Sequence, residues 1–206
     1  MDPAAHKIAL EAKGFLDDEE GMRLYSLARE HSHLGPILEV GSYCGKSAVY
    51  LGSGVHEVGG TLICLDHHRG SEEHQLGEEY HDPDLYDADA GALDSLASLR
   101  RTIRLAGLED TAQLWVTSSR GASRVWTTPL GMVFIDGGHS QEAAQADYDG
   151  WAKRVAPGGI LAIHDLFPNP EEGGQAPIEI YRKGLESGLF EALATTKTLG
   201  VLRRKP

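Results

Sequence analysis

Two rhythms of apolar residues alternate along the chain. Short, mostly apolar runs fall at residues 37–40, 61–65, 112–116, 130–135 and 160–163, all but 112–116 bounded by glycine, proline or an acidic residue. Runs of that length predict strands buried on both faces. Between them apolar positions recur at steps of three and four. Leu93, Leu96, Leu99 and Ile103 predict a helix over residues 93–106, and Ala144, Tyr148, Trp151 and Val155 predict another after Asp136. Residues 46–54 fit a helix packed behind the first strand. The first thirty residues read as helical, with Met22, Tyr25 and Ala28 on one face and Asp17 three places before Glu20, the spacing of a capping box. Gly35-Pro36 breaks that pattern. Pro157-Gly158-Gly159 predicts a turn into the fifth strand, and the tail predicts a helix over 176–187 and a strand pair at 190–195 and 198–202.

Strands that alternate with helices imply an α/β fold, a Rossmann-like, doubly wound and mostly parallel sheet of seven strands with helices on both faces. Such sheets bind ligands beyond the carboxyl ends of their strands, at the point where strand order reverses. Asp66, Ser118, Ser119, Asp136, His164 and Asp165 all fall on that edge.

Composition narrows the picture. A chain of 206 residues predicts one domain, 1–206, with an N-terminal helical extension at 1–33 and an inserted segment at 67–92. Hydrophobic residues at 41% and charged residues at 24% are ordinary for a globular protein. Nothing approaches the roughly 18 consecutive apolar residues of a membrane helix, and the first residues lack a basic-then-apolar segment. A cytoplasmic protein without a membrane partner is expected, with Cys44 and Cys64 as free thiols. The net charge of −12 argues against nucleic acid as a partner, since Arg100, Arg101 and Arg104 make only a small basic cluster.

The first strand runs into a turn, Gly41 to Gly45, preceded by Glu39. Glycines there permit positive φ and a close approach of backbone to ligand. A dinucleotide fingerprint would need G-x-G-x-x-G, which Ser42 and Tyr43 interrupt. Asp66, ending the second strand, is placed to accept both hydroxyls of a ribose. An NAD-dependent oxidoreductase would use the same residue, so it stays open as an alternative.

Leu38-Glu39-Val40-Gly41-Ser42-Tyr43-Cys44-Gly45-Lys46-Ser47 resembles the first motif of class I S-adenosylmethionine-dependent methyltransferases. Asp66 resembles their ribose-binding acid, and Pro157-Gly158-Gly159 the turn before their fifth strand. Phe134-Ile135-Asp136-Gly137-Gly138-His139-Ser140 resembles the fourth-strand motif of a metal-dependent subgroup with small-molecule substrates, among them macrolide-sugar O-methyltransferases and cephalosporin-hydroxylase-like proteins. The likeness spans about residues 34–165. It implies that Glu39, Gly41, Ser42, Gly45, Ser47, Asp66, Ser118, Ser119 and Asp136 surround S-adenosylmethionine. It also implies that Asp136, His164 and Asp165 hold a divalent metal, Mg2+ in the subgroup, which would bind the acceptor hydroxyl and lower its pKa. Asp136 and His139 would be catalytic, His139 as the base.

His164 stands where an acidic residue is usual, and imidazole suits transition metals better than magnesium. His164 in contact with substrate, and a metal-free site with both aspartates capping turns, therefore stay open. The segment from His67 to Gly91 is too long and polar for a plain connection. Its His67, His68, Arg69, Glu72, His74 and Tyr80 are expected to bind a polyhydroxylated acceptor. A sugar, and specifically a mannoside, is the expected substrate, with a phenolic or antibiotic natural product as the alternative; for the segment itself, an extra zinc site from His67, His68, His74 and His81 also stays open. The loop 168–177 is expected to close the pocket from the other side, and a homodimer is the expected assembly.

Overall fold

The computed structural model describes residues 1–71, 77, 82–138 and 140–206. Among them, five parallel strands form the centre of one sheet: β1 (Ile37–Val40), β2 (Leu62–Asp66), β5 (Ala112–Val116), β6 (Leu130–Ile135) and β7 (Val155–Ile163). Two antiparallel strands, β8 (Phe190–Ala192) and β9 (Gly200–Arg204), complete one side, giving the order β5-β2-β1-β6-β7-β9-β8. Strand order reverses between β1 and β6, so the crevice expected of this fold opens there.

Alternation of side chains along each strand builds two cores. Ile37, Leu62, Cys64, Met132, Phe134, Ile160 and Ala162 pack beneath α1 (Pro3–Glu11), α2 (Asp18–His31), α3 (Lys46–His56) and α4 (Leu96–Leu105). Leu38, Ile63, Val133, Ile135, Leu161 and Ile163 face the other way, towards α5 (Ser119–Val125), α6 (Gln141–Trp151) and α7 (Ala176–Glu186).

Three local expectations change. The N-terminal region is two helices. Asp2 caps the first, and Asp17 and Glu20 cap the second reciprocally, as their spacing predicts. Leu93 lies in a short strand, β4 (Ala92–Leu93), paired with β3 (Tyr86–Asp87); the Asp94 side chain accepts from the N–H of Leu96, and the helix starts only there. Pro157-Gly158-Gly159 sits inside β7, which already begins at Val155, and the register shift opposite Leu130 and Met132 marks a bulge. Gly159 is required at that bulge, because a Cβ there would lie 2.7 Å from the carbonyl oxygen of Gly131. Both cysteines are free and buried. No helix among the described residues is long and apolar enough to cross a membrane.

The N-terminal pair is seated by a close helix crossing. A Cβ on Gly54 of α3 would lie 2.4 Å from the backbone oxygen of Tyr25 on α2. Substituting Gly54→Ala gains about 1 kcal/mol of helix propensity but forces the crossing apart, at a cost of about 1–3 kcal/mol. A melting temperature several degrees below wild type is expected in thermal denaturation followed by circular dichroism. A higher value would show that the helices are not in this contact.

Candidate active site

The turn after β1 is shaped by contact with the end of β6. Gly41 has φ +91°, and a Cβ on it would sit 2.1 Å from the carbonyl oxygen of Asp136. The backbone N–H of Asp136 donates to the carbonyl of Val40 at 2.9 Å, which fixes the two strand ends side by side. Gly45, also at φ +91°, begins α3 without a side-chain cap.

Asp66 is tied to this turn. Its Oδ2 accepts the N–H of Tyr43 at 2.9 Å and its Oδ1 the N–H of His68 at 2.7 Å. Tyr43 and His68 both hold positive φ, +44° and +59°, a conformation uncommon outside glycine and found repeatedly at functional sites. Each carboxylate oxygen can accept a second hydrogen bond. The half-buried carboxylate is thereby oriented to receive a pair of neighbouring hydroxyls.

Glu39 lies beneath the turn, fully buried, and neither of its oxygens meets a donor in hydrogen-bond geometry; the Ser42 hydroxyl is likewise unsatisfied. Burial pushes the Glu39 carboxyl up to about 7, although the nearby hydroxyls of Ser42 and Ser47 draw it down; the Asp136 charge adds to the rise. A buried polar group without a partner is costly, so this group gains from any donor placed above it.

At the ends of β6 and β7, Asp136, His164 and Asp165 offer ligand atoms that all lie within 4.8 Å of one another and could hold a metal ion. His164 Nδ1 is 3.1 Å from Asp136 Oδ1 and 3.3 Å from Asp165 Oδ1, and its Nε2 is 3.0 Å from Glu20 Oε2. Burial opposes a charge on this ring, but Asp136, Asp165 and Glu20 outweigh it and push His164 up to about 12. Burial likewise opposes ionisation of Glu20, and His164 with Thr198 pulls that carboxyl down to about 2. Asp165 holds φ +57°, a further strained residue on the edge.

Ser118 and Ser119 lie at the end of β5, but their hydroxyls are occupied. Ser118 accepts the N–H of Gly121 and caps α5, and Ser119 accepts the indole N–H of Trp151 at 2.8 Å. His67 and Arg69 are exposed, with Arg69 3.4 Å from Asp94. His68 departs from its expected place on an open substrate wall: positive φ turns it inward, where Nδ1 meets the Ser95 hydroxyl at 2.8 Å. Glu72, His74, Tyr80, His81 and His139 lie outside the described residues.

Two residues at the site escape sequence reading. Asp147 is buried on the apolar face of α6, and burial pushes it up to about 6. A Cβ on Gly137 would lie 2.8 Å from its Oδ2. Its position three places after Ala144, on a face otherwise apolar, was a usable signal. Glu20 is readable as a helix cap, but nothing local ties it to a histidine 144 residues away.

Residues 38–166 match the family described as Methyltransferase domain. The chain belongs to this family. This match supports a methyltransferase over the NAD-dependent oxidoreductase left open by the sequence. Solved structures of similar fold span almost the whole chain. Cofactor-bound Rv0187 from MTB is 19% identical, with TM-score 0.66, covering 99% of this chain and 90% of its own. The methyltransferase PaMTH1 from Podospora anserina, solved with SAH, is 15% identical, with TM-score 0.69 and coverage of 100% and 89%. The O-methyltransferase TomG from Streptomyces achromogenes, involved in tomaymycin synthesis and solved with SAM, is 16% identical, with TM-score 0.62 and coverage of 100% and 91%.

Glu39 generates a pH prediction. Its folded value of about 7 lies above the ordinary 4.5, so its contribution to stability is complete below pH 4.5 and is lost as pH rises through 7. Between those limits the wild type should lose on the order of 3 kcal/mol relative to Glu39→Gln, measured as unfolding free energies in urea across pH. A difference that does not change with pH would show that Glu39 ionises freely.

Proposed function

We propose that this methyltransferase carries a methyl group from S-adenosylmethionine to a hydroxyl of a small polar acceptor, a sugar such as a mannoside first, with a divalent metal assisting. The observation that carries the reading is Asp66, whose two oxygens are fixed by the N–H groups of Tyr43 and His68 at the crevice between strand ends. A carboxylate so held matches a ribose diol. S-adenosylmethionine supplies an electrophilic methyl on sulfur. Gly41 and Gly45 give its amino-acid portion an approach free of side chains, Glu39 and Ser42 lie beneath with unsatisfied oxygens, and Ser47 stands at the first turn of α3. With the hydroxyls of Ser118 and Ser119 engaged elsewhere, the end of β5 meets the adenine through backbone.

Asp136, His164 and Asp165 fit a metal ion. Two ligands on neighbouring positions of an octahedral ion sit about 3 Å apart, from bond lengths of roughly 2.1 Å, close to the observed 3.1 and 3.3 Å. A divalent ion there would lower the pKa of the acceptor hydroxyl. His139, three residues beyond Asp136, takes the proton released as the methyl is transferred. Exposed His67 and Arg69 offer hydrogen bonds to acceptor hydroxyls, together with Glu72, His74 and Tyr80 of the same segment. TomG, of similar fold, is involved in tomaymycin synthesis, so phenols and natural products belong in the same assay.

The test is methyl transfer from labelled S-adenosylmethionine to a panel of sugars, mannosides and phenols, with and without a chelator. Transfer to a hydroxyl is expected, abolished by chelation and restored by added metal. Asp136→Asn and Asp165→Asn should lower turnover on the order of 100-fold, and His139→Ala by about 100-fold or more. Turnover indifferent to chelator and to both aspartate variants would contradict the metal; absence of transfer to every hydroxyl compound would contradict O-methylation.

A further inference from the structure

Glu20 and Thr198 lie outside the family-matched residues 38–166, yet they meet behind His164. Glu20 Oε2 is 3.0 Å from His164 Nε2, and its Oε1 accepts both the N–H and the hydroxyl of Thr198 at 2.8 Å. The backbone N–H of Asp17 donates to Oε2 as well, at 3.2 Å. Four donors therefore lock this carboxylate, which is only 2% exposed. The imidazole is held on a second side by the edge of Phe134, with ring centroids 6.3 Å apart. Its remaining nitrogen, Nδ1, points at the two aspartates.

A histidine that ligates a metal commonly donates its other N–H to a carboxylate, which fixes ring orientation and tautomer. Glu20 stands where such a partner must stand. The charges agree, since an imidazole that gives Nε2–H to Glu20 and keeps Nδ1 free to ligate is neutral, and the three carboxylates around it leave three negative charges for a dication to offset in part. A nitrogen among oxygens also changes ion preference: carboxylates suit magnesium, whereas imidazole suits later first-row metals.

We infer that Glu20 is a positioning residue that presents His164 Nδ1 beside Asp136 and Asp165, and that the site so made takes a borderline transition ion such as Co2+, Ni2+ or Zn2+ in preference to Mg2+. The inference rests on the metal-assisted reading above and adds the orienting residue and the class of ion.

Cobalt is the probe. Co2+ and Mg2+ are titrated by calorimetry into the full chain with S-adenosylhomocysteine present, and proton NMR of the Co2+ form is recorded for hyperfine-shifted, solvent-exchangeable imidazole N–H signals. One such signal is expected, from Nε2–H held by Glu20, and it should vanish in His164→Asp. That variant should also lower the Co2+ over Mg2+ preference at least tenfold. Glu20→Gln should weaken Co2+ by about 10–100-fold and broaden the N–H signal. If Glu20→Gln does not fold, the wild type and His164→Asp decide alone. Co2+ bound without a shifted N–H, or an ion preference unchanged in His164→Asp, overturns the inference and leaves the metal reading standing. Wild type that binds neither ion overturns both.

Discussion

The passage of Gly41 past the carbonyl of Asp136 is the constraint on which the rest depends. It brings the ends of β1 and β6 together so closely that a side chain at position 41 has no room. From that point the chain departs to opposite faces of the sheet, α3 to one side and α6 to the other. The gap between their starts is the crevice, and Asp66, Asp136, His164 and Asp165 stand at the carboxyl ends of β2, β6 and β7 beside it. Asp66 reinforces the arrangement by taking hydrogen bonds from the turn after β1 and from its own strand's exit.

The buried ion cluster adds a second tie of a different kind. His164 and Glu20 join the sheet's carboxyl edge to α2 and, through Thr198, to the turn before β9. Loss of one member of a buried pair commonly costs about 3–5 kcal/mol, although the pair itself adds little over an apolar substitute. Such a cluster is therefore weak support for stability and better support for a site in which a particular geometry has to persist. The unsatisfied oxygens of Glu39 and the positive φ of Tyr43, His68 and Asp165 carry the same message. Local rules are broken mainly along one edge, where ligand chemistry would repay them.

Much of this was legible in the residues. Strands β1, β2, β5 and β6 followed from their apolar runs, and the edge positions of Asp66, Asp136, His164 and Asp165 followed from where those runs stop. The misreadings have local causes. Leu93 has the helical spacing, but Asp94 ends its strand and starts the helix two residues later. Pro157-Gly158-Gly159 carries turn residues, yet the turn is absorbed as a bulge because Val155 already pairs with Leu130. His68 was visible as a polar residue on the edge; its inward direction depends on a backbone angle that no periodicity encodes. Glu20 was hidden for a related reason, since its cap is local and its partner is not.

The central claim is that the crevice over Gly41 and Asp66 binds an adenosylmethionine-type donor. Calorimetric titration of the protein and of Asp66→Ala with S-adenosylhomocysteine and, separately, with NADH tests it most directly. Binding of S-adenosylhomocysteine by the wild type is expected, weakened at least tenfold in Asp66→Ala, about 1.4 kcal/mol, with no heat from NADH. Equal affinity of the two proteins for S-adenosylhomocysteine, or binding of NADH alone, would contradict it.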